Sequence, residues 1–152
     1  MRIRLVAIGR LRAGPLKDLQ TFYASRLTPP PLIVELEARQ RLPAALLKAR
    51  EARLILGALP PTTPAIALDR RGVALSSRQL AEEIARWRDH AAGELVFMIG
   101  GAEGLGTEVL DHATVIVSLG SMTWPHFLVR GMLLEQLYRA QQILAGHPYH
   151  RD

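Results

Sequence analysis

Three segments of the 152-residue chain combine residue types that could do chemistry. Gly100-Gly101-Ala102-Glu103-Gly104-Leu105-Gly106 packs four glycines into seven residues directly after an apolar run. With no Cβ in the way, such a turn lets a ligand reach backbone amides closely; it serves equally as a tight turn at positive φ. It is neither a dinucleotide fingerprint, since the order G-x-G-x-x-G is missing, nor a P-loop, since no Gly-Lys-Ser/Thr follows. Gly120-Ser121-Met122-Thr123-Trp124-Pro125-His126 is mixed polar and apolar. It could hold a flat heterocycle between apolar side chains while its amides and carbonyls read the ring edge, or simply join a strand to a helix. His147-Pro148-Tyr149-His150-Arg151 gathers titratable, aromatic and cationic groups that suit stacking on a base and contacting a phosphate, with a frayed end as the alternative. His147 and His150 are separated by Pro148, and no carboxylate cluster accompanies them or His112 and His126, so no metal site is expected.

The hydrophobic pattern predicts the elements that must position these segments. Residues 1–8 are rich in Ile, Leu and Val and end at Gly9, as a buried strand would. Pro15 opens a helix through Ser25 with Leu16, Leu19, Phe22 and Tyr23 on one face, and Pro29-Pro30-Pro31 stops it. Residues 32–36 form a second apolar run, followed by a helical stretch from Pro43 to Leu56 in which Leu46, Leu47, Arg50 and Leu54 recur. After Pro60, Pro61 and Pro64 comes a strand over 65–68 ending at Asp69. Ser76-x-x-Gln79 then has the form of a capping box ahead of Leu80, Ile84 and Trp87. Residues 95–99 and 115–119 read as the fourth and fifth strands. A long helix from Pro125 carries Leu128, Met132, Leu133, Gln136, Leu137, Ala140 and Leu144 along one stripe until Gly146. Strands alternating with helices imply an α/β fold with a largely parallel sheet, whose ligands sit at the carboxyl ends of the strands. The ends to watch are those after Leu68, Ile99 and Leu119.

Composition narrows the class. One domain fits the length, and 49% hydrophobic with 22% charged residues excludes disorder as the overall state. The absence of cysteine excludes disulfide scaffolds, thiolate metal sites and cysteine nucleophiles. The apolar run 5–9 is too short for a secretory signal, and the stretch 112–129 is too polar to span a membrane, so a soluble cytoplasmic protein is expected. The net charge of +5 is uneven: residues 1–60 hold 11 basic and 4 acidic side chains. Because 17 of the 19 cations are Arg, whose planar fork matches phosphate, a polyanion such as nucleic acid is a natural partner; solvated faces under a codon bias would look the same.

Taken in order, Leu5-Val6-Ala7-x-Gly9, Leu68-Asp69, Ile99-Gly100-Gly101-x-Glu103-Gly104-Leu105, Ser121-Met122-Thr123-Trp124-Pro125-His126, Arg130, Glu135-Gln136-Leu137-Tyr138-Arg139-Ala140 and the terminal His-Pro-Tyr-His-Arg resemble the ribosomal RNA large subunit methyltransferase H family of the SPOUT class. The resemblance spans the whole chain. It implies a single SPOUT domain over 1–152, a parallel sheet flanked by helices with a C-terminal trefoil knot, and an active-site tail at 147–152. It also implies an S-adenosylmethionine-dependent enzyme, a homodimer, that methylates N3 of a pseudouridine in 23S rRNA within the assembled 70S ribosome. By position, Leu68, Gly100, Leu119, Gly120, Ser121, Met122, Thr123 and Trp124 would form the cofactor pocket. Ala102 and Trp124 depart slightly from the family's usual residues. His147, Tyr149, His150 and Arg151 would serve the reaction, with His150 a proton acceptor and Arg151 an anion or base clamp. Arg2, Arg4, Arg10, Arg12, Arg39, Arg41, Arg50 and Arg53 would then be available for rRNA phosphates. A non-catalytic RNA-binding module and a tRNA-directed enzyme are the rival readings.

Overall fold

The computed structural model describes residues 1–90 and 93–150. Five strands form one sheet: β1 (Arg2–Ile8), β2 (Leu32–Leu36), β3 (Ala65–Ala74), β4 (Glu94–Ile99) and β5 (Val115–Ser118). Five helices connect and follow them: α1 (Pro15–Ala24), α2 (Ala44–Gly57), α3 (Ser77–Asp89), α4 (Thr107–His112) and α5 (His126–Leu144). The strand order is β2-β1-β4-β3-β5 and every pairing is parallel. All five carboxyl ends therefore emerge along one edge.

Because side chains alternate across a strand, each central strand supplies two layers. Leu5, Phe97 and Ile66 pack with Leu80, Ile84, Leu133 and Leu137 on the face covered by α3 and α5. Val6, Met98 and Ala67 pack with Ala52, Ile55, Leu105 and Val109 on the face covered by α2 and α4. Each fully buried Leu, Ile or Phe contributes about 1.5–3 kcal/mol, so near-continuous apolar runs are what a sheet covered on both sides requires. The capping box of α3 forms: the Gln79 N–H donates to Ser76 Oγ at 3.2 Å, and the Ser76 N–H to Gln79 Oε1 at 2.8 Å.

Several expected faces are corrected. On α2 the buried residues are Glu51, Ala52 and Ile55, while Leu46 is exposed; the small Ala52 lets the helix approach the sheet, which a leucine stripe would not. Phe22 is half exposed on α1, stacked under the Arg26 guanidinium at 4.1 Å instead of buried. The buried stripe of α5 includes Arg130, Gly131 and Leu134, and Leu144 is exposed. α4 leaves no periodic signal in the sequence, being six residues long with only Val109 buried.

Strand β3 does not end at Asp69. Leu68 and Val73 both pair with Val117, so the four residues Asp69 to Gly72 are extruded between two stretches of ladder. Gly72 permits this: a Cβ there would lie 2.5 Å from the Ile116 carbonyl carbon and oxygen. The excursion lifts Asp69, Arg70 and Arg71 to the carboxyl edge.

Candidate functional site

At that edge the ends of β3, β4 and β5 enclose a cleft of about 460 Å³. Its floor is the β4 turn. Gly104 N–H donates to the Gly101 carbonyl at 3.0 Å, folding the turn back over Gly100, where a Cβ would strike the Gly104 carbonyl carbon at 2.7 Å. Only glycine at 100 allows two backbone segments to lie this close. One wall is the segment after β5. The Ser118 hydroxyl donates to the Gly120 carbonyl at 3.0 Å and accepts the Gly120 N–H at 3.2 Å. The Trp124 indole N–H donates to the Leu119 carbonyl at 3.3 Å and closes the loop on itself. Met122, 67% exposed, stands at the mouth. Leu68, Leu119, Trp124 and Val129 add apolar surface.

The rim is charged. Arg71 grips Asp69 through Nε at 2.7 Å and Nη2 at 2.9 Å, and its own N–H donates to the same carboxylate at 3.0 Å. Those contacts, the Arg71 side chain foremost, hold the Asp69 carboxyl below its ordinary range. Lys48 of α2 and Arg70 complete the rim. Beneath the β4 turn, Glu51 is 7% exposed and its Oε2 has no hydrogen-bond partner among the described residues. Burial, then the charge of Glu103, push its carboxyl up.

The far wall begins α5. His126 stacks on Phe127 at 4.2 Å, and burial and the nearby Arg130 hold its imidazole below the usual range, favouring the neutral ring. Arg130 is wholly buried. Its Nη2 donates to the carbonyls of Ile8 at 2.7 Å and Gly9 at 2.6 Å, and its Nη1 lies 3.5 Å from Glu35. One side chain thus ties α5 to the ends of β1 and β2, and so fixes where His126 and Trp124 enter the cleft.

The tail turns back along α5 instead of entering the cleft. Tyr149 donates its O–H to Glu135 at 3.3 Å, meets the Tyr138 ring edge-on at 4.8 Å and lies 5.0 Å beneath Arg139. Partial burial first, then a hydrogen bond with Tyr23 and the Glu135 charge, push its phenol up to about 12. Arg139, itself bound to Glu135 at 2.6 Å, stands 3.5 Å from His150 Nδ1. A guanidinium can only donate, so that ring nitrogen is the acceptor in this pair. Glu135 is nine residues beyond His126, about 13 Å along the helix at ~1.5 Å per residue. A second cleft, of about 660 Å³ and mainly apolar, opens beside Glu135 between Leu19, Tyr23, Leu75, Leu80 and Met132, and shares Leu119 and Gly120 with the first.

Among the described residues no three His, Cys, Asp or Glu side chains gather as metal ligands, and no helix is long and apolar enough to cross a membrane. Comparison with known proteins decides the family. A family model described as "Predicted SPOUT methyltransferase" matches residues 1–150. Proteins named ribosomal RNA large subunit methyltransferase H are 52% identical over 151 residues in Rhodospirillum centenum and 46% identical over 151 in Paramagnetospirillum magneticum, each match covering 99% of both chains. The chain belongs to the SPOUT methyltransferase family, with the methyltransferase H proteins as its relatives.

Solved structures share the fold of this SPOUT chain at low identity. A methylase-family protein of Haemophilus influenzae aligns over 99% of this chain and 70% of its own at TM-score 0.58 and 13% identity. A chain of Legionella pneumophila described as a methyltransferase, in complex with bound SAM, aligns over 92% of this chain and 66% of its own at TM-score 0.51 and 13% identity. Of the pocket residues expected for a SPOUT enzyme, the structure brings Leu68, Gly100, Leu119, Gly120, Met122, Thr123 and Trp124 together around one cleft. Ser121 is exposed in the same loop but does not line it. His147, Tyr149 and His150 lie apart from that cleft, and Arg151 is outside the described residues. Sequence reasoning missed the Asp69–Arg71 clasp, Lys48, Glu51 and the burial of Arg130. Only the last left a signal, a cation spaced three from Phe127 and four from Leu134 within an apolar stripe.

Proposed function

We propose that this chain transfers a methyl group from S-adenosylmethionine to N3 of a pseudouridine in 23S rRNA of the assembled 70S ribosome. It would do so in the cytoplasm as a homodimer whose C-terminal strands and helix form a trefoil knot. The observation that carries the reading is the convergence of three separate strand ends, at Leu68, Gly100 and Leu119–Trp124, on one cleft in a chain of this family. The cleft suits the methyl donor on its own features. Glycine at 100 lets the β4 turn fold tightly beneath the cleft, the bare backbone at 120, where a Cβ would meet nothing within 4 Å, leaves room for a ligand at amides and carbonyls, and Leu68, Leu119, Met122 and Trp124 offer apolar walls. When bound, S-adenosylmethionine supplies an electrophilic methyl on a sulfonium.

The residues then do the rest. The apolar walls exclude water from the reacting carbon, and the loop from Gly120 to Trp124, braced by the Trp124 indole, holds the methyl donor in line with the attacking nitrogen. N3 of the base must lose a proton as the bond to carbon forms. The tail candidates are His147, Tyr149, His150 and Arg151. With a phenol pushed up to about 12, Tyr149 acts as a donor and not as a base at neutral pH. His150 accepts the proton once its ring turns from Arg139, and Arg151 clamps the base or its phosphate.

Distance supports the homodimer. A tail held on Glu135 and Tyr138, with an apolar cleft beside it, suits docking of a second copy that brings this tail to the partner's cleft. The test is transfer of labelled methyl from S-adenosylmethionine to 70S ribosomes from cells lacking the protein, against separated 50S subunits and bulk tRNA. Label confined to 23S rRNA of 70S particles, at N3 of pseudouridine, is the expected result. Label in tRNA, or none with the cofactor bound, overturns it.

A further inference from the structure

Five parallel strands ending on one edge also line up the segments that leave them. Arg10 and Arg12 follow β1, Arg39 and Arg41 follow β2, and Arg70 sits in the extruded part of β3; all five are exposed. None of them forms an ion pair among the described residues. The β1 and β2 segments are held side by side, because Gly9 N–H donates to the Leu36 carbonyl at 2.7 Å and Leu11 N–H to Glu35 at 3.2 Å. The nearby acids are largely spoken for: Glu35 by Arg130 and Lys17, Asp69 by Arg71. Exposed Asp18, Glu37, Glu103 and Glu108 and buried Glu51 remain, outnumbered by the exposed arginines together with Lys48 at the cleft. By contrast, Arg4 is paired with Glu94 on the sheet, and Arg50 and Arg53 lie on α2.

We propose that Arg10, Arg12, Arg39 and Arg41 form an RNA-backbone track along the carboxyl edge of β1 and β2, gripping phosphates that flank the nucleotide entering the cleft. This rests on the reading of the chain as an RNA methyltransferase and adds where the RNA lies. Guanidinium forks without protein partners are suited to bidentate phosphate contacts. Adjacent strands are ~4.8 Å apart, so the track reaches ~10 Å from the end of β4 to that of β2. At ~3.4 Å between phosphates along a stacked strand, it spans roughly three steps and so about four phosphates. Lys48 and Arg70 continue the track at the mouth.

The experiment compares binding of wild type, the fourfold variant Arg10→Gln/Arg12→Gln/Arg39→Gln/Arg41→Gln, and the α3 variant Arg86→Gln/Arg88→Gln to 70S ribosomes between 50 and 200 mM salt. Calorimetry with S-adenosylmethionine and a thermal melt report the cleft and the fold. The fourfold variant is expected to bind ribosomes at least about tenfold more weakly, with a salt slope shallower by about 3, since each lost phosphate contact removes roughly 0.7–0.9. Its cofactor affinity and melting should match wild type, and the α3 variant should stay within about twofold of wild type, as contacts and not net charge carry the term. Unchanged ribosome binding and slope in the fourfold variant, or an equal loss in the α3 variant, overturns the track. If wild type methylates 23S rRNA while that happens, the track alone fails; if wild type neither binds nor methylates ribosomal RNA, the functional reading fails and the track with it.

Discussion

Gly100 shows how little room the cleft leaves at the level of one residue. Alanine there would set a methyl carbon 2.7 Å from the Gly104 carbonyl carbon, against backbone that cannot swing aside like a side-chain tip. The turn must shift, at about 1–3 kcal/mol for overpacking of this kind. We expect Gly100→Ala to lose S-adenosylmethionine affinity by about tenfold or more while the chain still folds, which calorimetry and a melt together would read; unchanged affinity would remove the turn from the site. Glu51 makes the opposite case, a side chain the fold tolerates under protest. Its carboxyl is raised by burial, so the folded chain keeps a proton that the unfolded chain gives up. Stability then falls as pH rises from about 4.5 through the folded-state value, because the unfolded state binds fewer protons in that window. The variant Glu51→Gln should lack this slope and melt higher than wild type at pH 7. Equal melting profiles from pH 4 to 8 would show the carboxylate finds compensation on its own.

At the scale of elements, α5 is held at its start by a single buried guanidinium. Removing it in Arg130→Ala leaves the Ile8 and Gly9 carbonyls without their Nη2 donor and takes from Glu35 one of its two cations. Loss of one member of a buried pair costs about 3–5 kcal/mol; Glu35 keeps Lys17 and the Leu11 N–H, so we expect about 3 kcal/mol in denaturant unfolding. A cost below about 1 kcal/mol would mean that helix packing alone seats α5. Arg130→Lys should recover little, since one ammonium cannot span two carbonyls and a carboxylate as the planar fork does. The same logic explains the β3 excursion. Four residues leave the ladder and return to it, and the glycine at their end lets β3 rejoin β5.

For the whole molecule, the decisive fact is separation: the cleft lies where α5 begins, and the tail is pinned about 13 Å further along it at ~1.5 Å per residue. If a second copy joins the two, a chain crippled in the cleft and another crippled in the tail should complement. Mixing Gly100→Ala with the double variant Tyr149→Phe/His150→Ala, after unfolding and refolding together, should restore methyl transfer to about a quarter of wild type, as half the dimers are mixed and each holds one intact site. No recovery in the mixture, with dimers present by sedimentation, would mean that each tail serves its own cleft.

Much of this was legible in the residues. Apolar runs of five or six residues punctuated by glycine and proline mark the strands, as a sheet covered on both faces favours; glycines clustered after residues 99 and 119 mark the turns that border the cleft. What the chain order could not reveal is which ends meet. Strand order β2-β1-β4-β3-β5 puts β3 between β4 and β5, so segments about twenty to fifty residues apart share one cleft. Helix faces depart from the leucine pattern where a small or charged residue makes the contact, as with Ala52 and Arg130, since close approach and buried hydrogen bonds depend on partners from distant segments. The chemistry was written locally, and its assembly was decided by long-range pairing.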